Sequence, residues 1–187
     1  MDVTNAALMG FGLAAAAGLN AYIPLLVVGL MERFDVIVLG SPYDSLASTP
    51  ALVVVGVLLA IELVADKVPA VDSANDLIQS FVRPVAGAVL FAGSIGVLPH
   101  APAWVGVLAG LATAGSVHAT KAAVRPAINV STGGLGAPVV STIEDVVSTV
   151  ASILAVLAPL LLAGFVALVT WWVVRAVRRF RLHRASP

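Results

Sequence analysis

Apolar runs near or beyond the length of a bilayer-spanning helix recur along the whole chain, and they constrain its fold more than any motif. The longest covers residues 142–174, a stretch of 33 positions. As a single helix it would extend about 50 Å, against a hydrocarbon core of about 30 Å. Of the 187 residues, 60% are hydrophobic and only 11% charged, whereas a soluble domain is about one quarter charged. A soluble core at this chain length could not hide so much apolar surface. The expected fold is all-α, a polytopic membrane helical bundle. It forms one integral membrane domain over 1–178, followed by a basic cytoplasmic tail over 179–187.

Punctuation divides the apolar sequence into about six helical segments. Met1-Asp2 lacks a basic leader, so Ala6 to Leu30 reads as a retained first span. Its Ala14–Gly18 stretch offers a surface for close helix packing. Thr49-Pro50 reads as an N-cap with proline in the first turn, opening a second helix to about Ala65. Arg83-Pro84 opens a third, Val85 to Leu98, and a fourth runs from Ala103 to about Ala123. Residues 142–174 form either one kinked helix, which makes five, or two that turn at Pro159, which makes six. With six and both termini cytoplasmic, nine of the ten Lys and Arg residues lie inside, and only Arg33 lies outside. That distribution obeys the positive-inside rule. Helices two, three and five are short enough to be re-entrant.

Two further features bear on architecture and partners. Gly12–Ala21 echoes Gly110–Ala119, which suggests two inverted three-helix repeats over 1–98 and 99–178, a transporter plan. Zero net charge argues against nucleic acid as a partner. The absence of cysteine removes disulfides, thiolate metal sites and a cysteine nucleophile, and no cofactor is expected. The bilayer is one partner, an ion or small solute a second, and a further copy of the chain a third.

Polar residues beside the apolar runs carry the functional information, because such groups are costly in lipid unless they face protein or water. Glu62 and Asp66 share a face at the end of helix two. His118, Lys121 and Arg125 form a basic stripe on helix four. Ser141, Asp145, Ser148 and Ser152 form a stripe on helix five, and Asn20 lies within helix one. The candidate pathway is Asn20, Glu62, Asp66, His118, Lys121, Glu144 and Asp145. Lys67, Arg83 and Arg125 with the turn residues Ser131, Thr132, Gly133 and Gly134 form a candidate ion-pair or anion-binding set, since N–H groups beside a helix N-terminus attract anions. Structural readings stand beside these. Ser141 with Glu144, and Ser73 with Asp76, fit capping boxes. The 131–138 turn can be a simple connection, and Glu62 or Asp66 is expected to pair with Lys121 or Arg125 as structural glue.

Gly18-Leu19-Asn20-Ala21-Tyr22-Ile23-Pro24, Glu62-x-x-x-Asp66-Lys67-Val68-Pro69-x-x-Asp72, Val82-Arg83-Pro84, and Ser131-Thr132-Gly133-Gly134 with Ser141-x-x-Glu144-Asp145 together resemble the bacterial membrane family catalogued as domain of unknown function 4126. The resemblance implies a small multi-spanning inner-membrane protein and carries no activity with it. Three function classes stay open. The leading one is a transporter or channel for an ion or small polar solute that uses the intramembrane carboxylates. The others are a lipid-phosphate-handling protein (flippase or enzyme) and a non-catalytic scaffold.

Overall fold

The computed structural model describes residues 2–66, 69–133 and 136–184, and its side-chain description omits 69–74, 76, 129 and 176–184. Lys67 and Gly134 fall outside the described residues, as do the side chains of Asp72, Ser73, Asp76 and of the tail arginines Arg178, Arg179, Arg181 and Arg184. Within this range the chain is all helical: α1 (Val3–Leu19), α2 (Tyr22–Arg33), α3 (Thr49–Ala65), α4 (Pro69–Ile95), α5 (Ala103–Thr132), α6 (Gly136–Leu157) and α7 (Pro159–Arg184). A short 3-10 turn, Tyr43–Ala47, precedes α3. Three segments are long and apolar enough to cross a membrane: Leu77–Ile95 of α4, α5 and α6. The polytopic helical bundle expected from sequence is the fold observed.

The first apolar run is not one span. α1 stops at Leu19, and Asn20 takes an extended backbone conformation (φ −144°, ψ 122°). Its side-chain oxygen accepts hydrogen bonds from the Tyr22 and Ile23 N–H groups at 3.0 and 3.1 Å, which caps the start of α2. Pro24 has no N–H to offer the Asn20 carbonyl, so the α1 ladder cannot run through.

The direction of the chain reverses at this break. Gly10 of α1 meets Phe91, and Ala14 meets Gly87, so α1 runs antiparallel to α4. Gly29 of α2 abuts Leu46 and Leu52 near the start of α3. Ile23 and Leu26 share a groove with Leu59 and Leu63 near the end of α3, so α2 runs antiparallel to α3. The pair α1–α2 is therefore a hairpin with its apex at Asn20-Ala21, and it enters and leaves at one end of the bundle. α2 alone, at 12 residues, reaches only about 18 Å. Residue 2, at the start of α1, lies at the end of the bundle away from Glu62 and Arg83.

The hairpin also changes the reading of the internal echo. Gly106 and Gly110 of α5 lie against Ala92 and Gly87 of α4, so α5 is antiparallel to α4, as α1 is. α1 and α5 are then parallel, and the echo does not relate inverted halves. An odd number of extra helices in the first half changes the parity.

Several boundaries differ for local reasons. α4 begins at Pro69 rather than Val85 and carries Pro84 inside it, while α5 continues through Pro126 to Thr132. Each proline removes one ladder hydrogen bond, a loss that a helix held by neighbours on several sides tolerates. Ser48 rather than Thr49 caps α3, accepting from the Ala51 N–H, and the Thr49 hydroxyl instead holds Arg33 at 2.9 Å. α6 starts at Gly136, five residues before Ser141, so Ser141 and Glu144 are interior residues and not a capping box. Ser73 and Asp76 likewise lie inside α4. At the far end, α6 and α7 meet at Ala158, ahead of Pro159. Ala155 and Leu162 both rest on Gly12, and beyond Leu162 the apolar side chains of α7 are largely exposed.

Candidate functional site

Six helices meet at one level of the bundle, and polar groups gather there. α3 brings Glu62 and Asp66 one turn apart. α4 brings Asn75, Gln79 and Arg83 at four-residue spacing, which stacks them on one face. α5 contributes His118, Lys121 and Arg125, and α6 contributes Ser141, Glu144, Asp145 and Ser148. The α1–α2 apex supplies the Leu19 carbonyl and the Asn20 side chain.

Two linked sets of contacts result. In the first, Arg83 pairs with Glu62 at 3.1 Å, and both are almost wholly buried. The other Arg83 amino group lies 3.0 Å from His118 Nδ1. A guanidinium only donates, so Nδ1 accepts, and the ring is neutral with its proton on Nε2. That Nε2–H donates to the Ser80 hydroxyl at 3.0 Å. In the second set, Lys121 binds Glu144 at 2.8 Å and also donates to the Leu19 carbonyl at 3.0 Å. This puts an ammonium at the negative end of the α1 dipole. Arg125 lies 3.4 Å from Glu144 and 3.8 Å from Asp66. Asp66 also accepts from Asn75 at 2.8 Å and from Ser141 at 3.3 Å.

The apex joins the network through amides and hydroxyls. The Asn20 side-chain nitrogen donates to Asp145 at 2.9 Å, and the Ser148 hydroxyl donates to the Ala16 carbonyl at 3.1 Å. Among the buried atoms without a partner among the described residues are Glu62 Oε2, Gln79 Oε1 and Arg83 Nε.

Two crevices approach this level from either side of α6. One, about 300 Å³, lies between α5 and α6 and is lined by Leu19, Val117, Val124 and Ile128, with Lys121, Arg125 and Glu144 at its polar end. The other, about 450 Å³, lies between α2, α3 and α6, and Asp145 and Thr149 are its polar lining residues. Glu144 and Asp145, neighbours in sequence, therefore open on different crevices. Among the described residues no group of His, Cys, Asp or Glu is arranged to hold a metal ion.

All seven expected pathway residues (Asn20, Glu62, Asp66, His118, Lys121, Glu144 and Asp145) thus meet in one place. The expected ion pair forms between Asp66 and Arg125. Glu62, however, takes Arg83, and Lys121 takes Glu144. Arg83 and Arg125 join the network and not an anion-binding turn. Ser131 and Thr132 donate their hydroxyls back to the Ile128 carbonyl, and the Thr132 oxygen accepts from the Gly136 N–H. Gly133 occupies a left-handed turn position (φ +59°). These hydrogen bonds stay within the turn, and the Gly136 N–H at the start of α6 is already used. Sequence reasoning missed Tyr22, Asn75, Gln79 and Ser80. The signal was the stripe 75-79-83, which becomes visible once Pro84 is allowed inside a helix.

No curated protein and no solved structure matches this chain. Residues 7–179, which hold the whole network and part of every helix, match the family described as domain of unknown function DUF4126, and the chain belongs to that family.

Proposed function

We propose that the protein is a small membrane transporter or channel for an ion or small polar solute, with its pathway passing the buried network. The observation that carries this reading is the helix break at Asn20. The last carbonyl of α1 holds Lys121, and the residue that caps α2 holds Asp145. Broken helices whose ends face charged groups inside a bundle are a recurrent way to build an ion or substrate site in lipid. Effective desolvation penalties are several kcal/mol per buried ion. A chain that needed only to stay folded could fill the same level with leucine and alanine at no such cost. In this reading the two crevices flanking α6 are the approaches from the two sides, and the Lys121–Glu144 pair lies between them.

One observation favours the lipid-phosphate reading: the α5–α6 crevice joins apolar walls to two cations. Those cations already share Glu144, so an incoming phosphate would have to displace that carboxylate. Ion movement is the better fit.

The network end faces the cytoplasm, because Lys121 and Arg125 lie there and Arg33 lies at the other. Single cysteines at positions 2 and 131 of this cysteine-free chain should then label from opposite sides, with position 2 open to an impermeant reagent outside intact cells. Labelling of both from one side would break the hairpin topology.

Function is tested with purified protein in liposomes under an imposed proton or cation gradient. Wild type should pass current or dissipate the gradient. Glu144→Gln and Asp145→Asn, which keep size and remove charge, should lose flux per folded molecule. Wild type equal to empty liposomes across protons and common cations, with scrambling of a phosphorylated lipid instead, would replace ion movement by the lipid reading.

A further inference from the structure

We infer that Glu62 is the proton-exchanging carboxyl of the network, with Gln79 as the acceptor for its proton. The inference deepens the transport reading and rests on it only for the use made of the proton.

A carboxyl that exchanges a proton is to be sought among the buried ones. Among the described residues the network gathers four carboxylates, Glu62, Asp66, Glu144 and Asp145, against three cations, Arg83, Lys121 and Arg125. His118 adds none, since it accepts from Arg83. Glu62 and Asp66 are almost wholly buried, whereas Glu144 and Asp145 line crevices, and a buried carboxylate without its full set of hydrogen bonds is expensive in a poorly solvated interior. A bound proton removes that charge.

The hydrogen-bond inventory says where that proton fits. Glu144 already has two cations within reach. Both oxygens of Asp66 accept hydrogen bonds, one of them also facing Arg125. Asp145 is held by the Asn20 amide. Glu62 differs: Arg83 takes one oxygen, and the other, Oε2, is buried without a donor among the described residues. Gln79 sits one turn before Arg83 on the same face of α4, 1% exposed. Its side chain lies near the Tyr22 hydroxyl, and its own carbonyl oxygen likewise lacks a donor among the described residues.

Two orphan acceptors need one hydrogen. A proton arriving on Glu62 Oε2 forms an O–H bond there and is donated to Gln79 Oε1, directly or through one water. The charged groups around Glu62 are Asp66 on its own helix, Arg83 on α4 and Lys121 on α5, with the Tyr22 hydroxyl from α2. Protonation weakens the Arg83 pair while leaving the His118 contact, so proton uptake changes what holds α3 to α4.

Infrared difference spectroscopy of the purified protein, titrated across about pH 5 to 8, reads this directly. A protonated-carboxyl C=O band should appear on acidification. It should shift in wild type carrying carboxyl-¹³C glutamate, which needs no substitution in a chain with only Glu32, Glu62 and Glu144. The band should persist in Glu144→Gln, vanish in Glu62→Gln, and form only at lower pH in Gln79→Leu. No glutamate band, or one abolished by Glu144→Gln and indifferent to Gln79→Leu, overturns the assignment. A correct band in a protein without flux would leave the proton site standing and remove the transport reading.

Discussion

The two ends of the same three helices are held together in opposite ways. Toward the chain's N-terminus, α4 and α5 touch backbone to backbone, and α1 packs Gly10 against the Phe91 ring. Gly106 lies on the Ala92 backbone, and Gly110 on the Gly87 carbonyl. Toward Asn20 the helices meet through Arg83, Glu62, His118 and Lys121. In lipid the hydrophobic effect does not drive helices together, so close packing of small residues is the inexpensive adhesive. The glycine end shows that this bundle has that adhesive available. It reaches as far as Gly18, which lies on the Ala114 carbonyl, and beyond that point the charged side chains take over.

The contrast is tested first at Arg83. Removing one partner of a buried pair leaves the other charge uncompensated, at a cost of about 3–5 kcal/mol. Arg83→Leu should therefore lower the thermal midpoint in detergent more than any other change discussed. Replacing both partners, Glu62→Leu with Arg83→Leu, should recover most of that loss while abolishing flux. Stability equal to wild type in the single variant would mean that the pair is solvated and the ends are alike.

At the glycine end the penalty is steric. A Cβ at Gly106 would lie 2.7 Å from the Ala92 Cα, and one at Gly87 would lie 2.5 Å from the Ala114 Cβ. Backbone cannot step aside as a side chain can, so Gly106→Leu should cost about 1–3 kcal/mol or more through forced separation of α4 and α5. Protein that survives this change should retain flux per folded molecule. Lost flux at unchanged stability would show that the two ends are coupled.

These two ends were unequally legible in the sequence. The charged residues stood out because lipid makes each of them conspicuous, and all seven pathway residues converge. Their pairing was not legible, since partners depend on helix rotation and vertical offset. That is how Glu62 came to take Arg83 and not Lys121 or Arg125. The break at Asn20 was written in Asn-x-x-x-Pro, a cap followed by a first-turn proline, but unbroken apolarity from Ala6 to Leu30 concealed it. Pro84 and Pro126 misled in the other direction: they looked like helix ends, and tertiary packing carried the helices through them. Gly106 and Gly110 cannot be told from incidental glycines without knowing what α4 presents to them.

A milder probe exchanges charges and removes none. Lys121→Glu and Glu144→Lys should each destabilise, and the double exchange should recover part of the loss. Groups at 2.8 Å typically couple by about 0.5–3 kcal/mol. Recovery will be incomplete, because the Leu19 carbonyl and Arg125 both favour the original arrangement. Strict additivity in thermal midpoints would remove Lys121–Glu144 from the network.

The smallest effect, and the one of opposite sign, is expected where glycine touches nothing. A Cβ added at Gly56 of α3 or Gly164 of α7 would meet no atom within 4 Å, and the neighbouring Val57 and Phe165 are exposed. Glycine inside a helix costs roughly 0.5–1 kcal/mol relative to alanine, through backbone entropy alone. With no contact to lose, Gly56→Ala and Gly164→Ala should raise the thermal midpoint by that increment, while Gly106→Ala should lower it. The sign separates two uses of one residue type: Gly106 is small because α4 lies against it, whereas Gly56 faces outward from the bundle. A destabilising Gly56→Ala would mean that this face of α3 is covered, by a second copy of the chain, and the same substitution would then shift the molecule toward monomer in size-exclusion chromatography with light scattering.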